Sequence, residues 1–231
     1  MSTELRKRII TSIVFFIIAI LLILINKIIF AIGIFVIITI SFLEWNKINY
    51  KYFSKKKKKD KFIYIKIVGV VYLFIFFISS MNIRMEYGKI FFIFILCICV
   101  CSDIGGYVFG KTFGGKKLIK ISPNKTISGS LGSFCFSIFP LLLFYNFDPS
   151  KYLYSTNNFL LCLEISLVCQ LGDLFVSYIK RKAKVKDTGR ILPGHGGVLD
   201  RVDGIIIAIP FVFIYLNGFS EYVEIWRAVF S

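Results

Sequence analysis

Apolar residues in this chain neither alternate nor recur at helical spacing; they run on almost without interruption. Stretches at 9 to 26, 28 to 45, 63 to 81, 90 to 109, 130 to 147, 159 to 179 and 204 to 219 carry few charges. A segment of about 20 apolar residues is what a helix needs to cross the hydrocarbon core of a bilayer, so the pattern predicts about seven spans. Runs such as IVFFIIAILLILI are apolar on every face, which excludes the strands of a membrane barrel, where lipid-facing and lumen-facing residues alternate. The predicted fold is an all-α, polytopic transmembrane bundle forming a single integral-membrane domain over 1–231. The first stretch follows Arg6, Lys7 and Arg8 as the core of a signal peptide would. It lacks a small-residue cleavage site and runs almost directly into the second, so it is expected to remain as a helix.

Composition agrees: 57% of residues are hydrophobic and only 18% charged, too apolar for a water-soluble domain. The net charge of +16 would suggest nucleic acid if the basic residues were scattered, but they are not. With the N-terminus in the cytoplasm, the tail at 1–8 and the loops near 46–62, 110–129 and 180–203 fall on one side and hold 23 of the 29 lysines and arginines. That is the positive-inside bias, and attraction to anionic lipid adds about 1 kcal/mol per basic residue near the surface. No nucleic-acid partner is needed. The run Lys55–Lys59 reads as a solvated cytoplasmic loop that fixes topology.

Carboxylates inside the apolar stretches are informative because each costs about 2.5–3.5 kcal/mol at a helix centre. Asp103 lies in the fourth span ahead of Gly105, Gly106 and Gly110. Asp173 lies in the sixth, where Gln170, Asp173, Ser177 and Lys180 recur at spacings of three and four and so share one helix face. An Asp–Lys pair could simply lock two helices together. Against that stands the segment Ser177–Asp203, SYIKRKAKVKDTGRILPGHGGVLDRVD, the densest polar stretch in the chain.

Lys180, Arg181, Lys186 and Arg201 in that segment suit phosphate oxygens, Arg as a bidentate fork and Lys as a point charge. Asp200 and Asp203, three apart, share a face if a helix starts near Leu199. Hard oxygen donors of this kind suit Mg2+, which takes a few carboxylates, waters and substrate phosphates. Gly194, Gly196 and Gly197 let backbone N–H groups approach an anion, and Pro193 stiffens the turn. His195, the single histidine, reads equally as general base or as hydrogen-bonding strut. The sequence thus predicts N-terminal spans over 1–102, with the basic loop 46–62, and a catalytic part over 103–231 whose block 170–204 is read from this chemistry and whose block 103–129 is implied by a family resemblance.

Two motifs mislead. Gly105–Thr112, GGYVFGKT, fits a P-loop, but a P-loop joins a strand to a helix in a soluble domain, and this match crosses the inner end of a span. Asp200, Asp203 and Gly204 imitate the opening of the CDP-alcohol phosphotransferase motif, yet IIIAIPFVFIYL follows without its later Arg and carboxylates. The six cysteines, at 97, 99, 101, 135, 162 and 169, form no CxxC pair and read as small hydrophobes.

The segment Ser177–Asp203 resembles the signature of the phosphatidate cytidylyltransferase family. Ser177, Lys180, Arg181, Lys186, Asp187, Pro193, His195, Gly196, Gly197, Asp200, Arg201 and Asp203 meet its fixed positions over 27 residues. A second block is similar to the same family: Asp103, Gly106, Tyr107, Gly110 and Gly114, then SPNKTISG at 122–129. The family commonly has Glu where this chain has Ser128, and often a Glu where it has Val176.

The resemblance implies a Mg2+-dependent nucleotidyl transfer from CTP to phosphatidic acid at the cytoplasmic side of the cell (inner) membrane. It implies metal ligands at Asp173, Asp200 and Asp203, with room for a second cation. Phosphate contacts would come from Ser122, Lys125, Lys180, Arg181, Lys186 and Arg201. Thr126, Ser177, Gly196 and Gly197 would join the substrate site, and Asp187 and His195 would shape the loop. A homodimer is compatible with this. The alternatives are a CTP-dependent long-chain alcohol kinase and a cation transporter or channel, neither of which explains the complete signature with its four phosphate-suited cations.

Overall fold

A computed structural model describes residues 3–54, 59–119, 122–147, 156–189, 191–192 and 196–218. Among the described residues eight helices and one hairpin follow in the order α1 (Thr3–Leu24), α2 (Lys27–Ser54), α3 (Lys59–Glu86), α4 (Gly88–Thr112), β1 (Lys117–Ile119), β2 (Ser122–Thr126), α5 (Ile127–Ser137), α6 (Phe139–Phe147), α7 (Thr156–Lys182) and α8 (Leu199–Gly218). The all-α membrane bundle read from the sequence is what the described residues form. Large apolar side chains such as Ile28, Phe35, Leu43, Phe74 and Ile214 are exposed, which is stable only if lipid replaces water around them.

Among the described residues, five helical stretches are long and apolar enough to cross a membrane: Lys27–Phe53, Asp60–Glu86, Gly88–Thr112, Ile127–Phe144 and Asn157–Lys182. The other two expected spans correspond to α1, whose apolar part Ile13–Leu24 is shorter, and α8, which opens on Asp200, Arg201 and Asp203 and contains Pro210. Two details differ from the sequence reading. The predicted helix at 130–147 breaks at Ile138, because Pro140 lacks an N–H and its ring clashes with the carbonyl four residues back. Part of the expected loop at 110–129 is instead an antiparallel hairpin, with Lys117 opposite Thr126 and Ile119 opposite Ser122.

The chain packs as two compact units, interleaved along the sequence: Met1–Met81 with Val176–Asp203, and Asn82–Phe175 with Gly204–Ser231. In the first, Trp45 Nε1 donates to the Ile65 carbonyl at 3.3 Å and ties α2 to α3. In the second, α4 and α5 come into backbone contact. A Cβ on Gly105 would overlap the Gly132 carbonyl, and one on Gly132 would overlap Phe109. Glycine-lined crossings of this kind gain stability in lipid from close van der Waals packing rather than from excluded water. A polar chain runs through the same unit: Ser102 and Ser166 hydroxyls lie 2.8 Å apart. Gln170 donates to Ser166 at 3.3 Å and accepts from Ser130 at 2.6 Å.

Candidate functional site

In the first unit the site grows from the end of α7. The helix stops in a paired C-terminal turn: Val185 N–H donates to the Lys180 carbonyl and Lys184 N–H to the Arg181 carbonyl. Lys184 takes the left-handed conformation, φ 56°, in the place usually given to glycine. The turn leaves Lys180, Arg181 and Lys182 in the last turn of α7, where cations complement the helix dipole. Lys186 and Asp187 follow, both exposed.

Asp200, in the first turn of α8, organises what comes next. Its Oδ1 accepts from Lys180 Nζ at 2.6 Å. Its Oδ2 accepts from Thr188 N at 2.8 Å, Thr188 Oγ1 at 2.9 Å and Gly197 N at 3.0 Å. The loop closes on itself where Leu192 N–H donates to the Gly196 carbonyl at 2.9 Å. Gly196 has φ 84° and packs against Asp187, where a Cβ would stand 3.0 Å from that of Asp187. Pro193, Gly194 and His195 lie outside the described residues. Ser177 is half-buried, Arg201 exposed and Asp203 buried.

A residue absent from the sequence reading completes this arrangement. Glu44 of α2 is buried and accepts from Thr188 Oγ1, Val198 N and Leu199 N. A single Glu near the end of an apolar stretch looks like an ordinary boundary charge, and its partners lie 144 to 155 residues away. Thr188 was missed for the same reason, since its role exists only between two acids distant in sequence.

In the second unit Lys125 Nζ pairs with Asp173 Oδ2, the two side chains being 25% and 32% exposed. Thr126 caps α5 by accepting from Gly129 N at 3.1 Å, and Ser122 is buried in β2. Ser128, standing where the family commonly has Glu, donates to the Gly114 carbonyl and lies 3.0 Å from Thr126 Oγ1. Asp103 is exposed on α4. Gly106 and Gly110 face α5, Gly110 with its missing Cβ 3.2 Å from Thr126 Oγ1, so these glycines set helix packing. The P-loop look-alike Gly105–Thr112 is helical throughout.

The carboxylates can be tested as Mg2+ ligands by what they already hold. Asp200 Oδ2 carries three loop donors, but Oδ1 holds a lysine ammonium, as does Asp173 Oδ2. In each case a cation already occupies a carboxylate oxygen, so hard oxygen donors are available wherever a divalent ion displaces a lysine. Among the described residues no group of three or more His, Cys, Asp or Glu converges. Asp200 in the first unit and Asp173 in the second are each a partial ligand, suited to a metal that brings its own waters and phosphates rather than to one caged by protein.

Comparison with known proteins adds an independent finding. The model for the Cytidylyltransferase family matches residues 48–219. A phosphatidate cytidylyltransferase of Rickettsia bellii is 46% identical over 124 residues, 50% of this chain and 52% of that protein. One from Staphylococcus aureus strain COL is 48% identical over 120 residues, covering 50% and 44%. One from Bacillus subtilis is 38% identical over 138 residues, covering 58% and 50%. The chain spans about half the length of these relatives.

Proposed function

The chain belongs to the cytidylyltransferase family, and we propose that it transfers the cytidylyl group of CTP to phosphatidic acid, giving CDP-diacylglycerol and pyrophosphate. The observation that carries this reading is the division of labour around Asp200. Its carboxylate holds Lys180 and the loop amides from within, while Arg181, Lys186 and Arg201 stay exposed on the same segment.

In the proposed reaction a phosphate oxygen of phosphatidic acid bonds to the α-phosphorus of CTP. The bond from that phosphorus to the β-bridging oxygen breaks, and pyrophosphate leaves with the oxygen. Such a transfer needs positioning and charge neutralisation more than covalent help. Arg181, Lys186 and Arg201 bind phosphate oxygens; Lys180 holds Asp200 and would turn to phosphate where Mg2+ takes that oxygen. Ser122, Lys125, Thr126, Ser177 and the Gly196 amide serve as further polar contacts to substrate, Gly197 keeps its amide on Asp200, and Asp187 and His195 shape the loop. Asp173, Asp200 and Asp203 are the carboxylates available to Mg2+, which when bound neutralises phosphate charge. The named relatives and the basic inner loops support a site at the cytoplasmic face of the cell membrane, where acyl tails stay in the leaflet and CTP arrives from water.

The test is pyrophosphate release by purified protein in detergent with phosphatidic acid, CTP and Mg2+, each omitted in turn. Release that needs all three, with CDP-diacylglycerol formed, is expected. Folded protein that releases none would overturn the reading.

A further inference from the structure

Glu44 lies outside the residues 48–219 that match the family, yet it is bound into the signature loop. It is 4% exposed. Its Oε2 accepts from Thr188 Oγ1 at 2.8 Å and Leu199 N at 2.9 Å, and its Oε1 from Val198 N at 3.1 Å. Val198 precedes α8 and Leu199 begins it, so the carboxylate stands where a helix presents unpaired N–H groups and the positive end of its dipole.

The loop is shaped to admit this side chain. A Cβ on Gly189 or on Gly197 would overlap the Glu44 carboxylate, and on Gly197 it would also overlap Thr188 Oγ1. Gly197 is a fixed position of the signature, and here the room it leaves is filled by Glu44. Thr188 Oγ1 stands between two acids, 2.8 Å from Glu44 Oε2 and 2.9 Å from Asp200 Oδ2. A hydroxyl has one proton to donate, so the two carboxylates compete for it, and a shift of either alters the hold on the other.

We infer that Glu44 is a positioning residue for nucleotidyl transfer: through Thr188 and the amides of Val198 and Leu199 it fixes the loop that carries Lys186 and delivers Asp200 and Arg201. This rests on reading that loop as substrate-binding. The two acceptor oxygens, not the alkyl part of the side chain, carry this role.

Glu44→Gln keeps one acceptor and turns an amide N–H2 toward backbone donors, so its effect is local if the inference holds. Hydrogen exchange by mass spectrometry, on wild type and variant in detergent, reads the loop directly. Peptides covering Thr188 and 196–200 should exchange about 10-fold faster, with α4 and α5 peptides unchanged. The KM for CTP should rise about 10-fold, by a larger factor than kcat falls. Thr188→Val, which leaves α2 intact, should reproduce both effects, Thr188→Ser should not, and the valine variant decides if Glu44→Gln yields no folded protein. An undisturbed loop, exchange that rises equally in α4 and α5, or a loosened loop with unaltered KM and kcat would each overturn the inference. A wild type silent with CTP would instead sink the transferase reading, because the exchange arm needs no turnover.

Discussion

Lys180 Nζ stands 2.6 Å from Asp200 Oδ1, and the two side chains are only 12% and 5% exposed. A pair this buried is costly to break, because the survivor keeps its charge without its counter-ion. Lys180→Met should therefore lower stability by about 3 kcal/mol, roughly 6–12 °C in Tm for a chain of this size, and abolish turnover. Adding Asp200→Asn should restore part of the Tm but none of the activity. Thermal unfolding in detergent, run as a double-mutant cycle, checks it; additive losses would mean that the two residues are not coupled.

Lys125 and Asp173 make the opposite case. Their side chains are a quarter and a third exposed, and a pair so open to solvent contributes at most about 1 kcal/mol. Lys125→Ala should leave Tm within about 3 °C while cutting kcat/KM by about 100-fold, the scale of losing one charge-stabilising group. A large fall in Tm with activity per folded molecule retained would make the pair a helix lock.

Much of this was legible in the sequence, and the misses share a cause. Spans announce themselves because lipid demands apolar residues on every face, so α4 and α7 fall within a few residues of the stretches at 90–109 and 159–179. The signature's lysines, aspartates and glycines stand at fixed spacing within one segment, and Lys180, Gly197 and Asp200 do come together. The contact of Glu44 with Thr188 crosses 144 residues, and no periodicity records such a distance. The break at Ile138 could have been read from Pro140. The hairpin at 117–126 could not, because SPNKT has neither alternation nor β-branched enrichment.

The α4–α5 crossing should be intolerant of a single methyl group. Gly132→Ala pushes a Cβ into Phe109 and the Gly105 carbonyl, and overpacking of this kind costs about 1–3 kcal/mol. Gly218→Ala, with nothing within 4 Å of the added carbon, is the control and should leave Tm unchanged. Thermal unfolding of the two variants side by side decides; equal behaviour would mean that α4 and α5 do not meet through their glycines.

Thr126 and Ser128 test whether the hairpin is held for function or for folding. Thr126 accepts from Gly129 N and so caps α5, a role worth about 1 kcal/mol. Ser128 donates to the Gly114 carbonyl and so ties the first turn of α5 to the residues leading into β1. Thr126→Ala should lower Tm by about 2–4 °C, and Thr126→Ser should recover it, since serine caps as well as threonine. Ser128→Ala removes a hydrogen bond at a half-buried position and should change Tm less. Its larger effect should fall on the KM for CTP, because a loosened hairpin lets Ser122 and Lys125 wander from the geometry in which we propose they meet phosphate. A glutamate at 128 would turn a carboxylate toward the Gly114 carbonyl, acceptor against acceptor, so Ser128→Glu should weaken CTP binding in this chain even though the family commonly carries that residue. Steady-state kinetics of the three position-128 forms against CTP measure this, and a Glu variant that outperforms the native Ser would mean that the hairpin rearranges to use the acid.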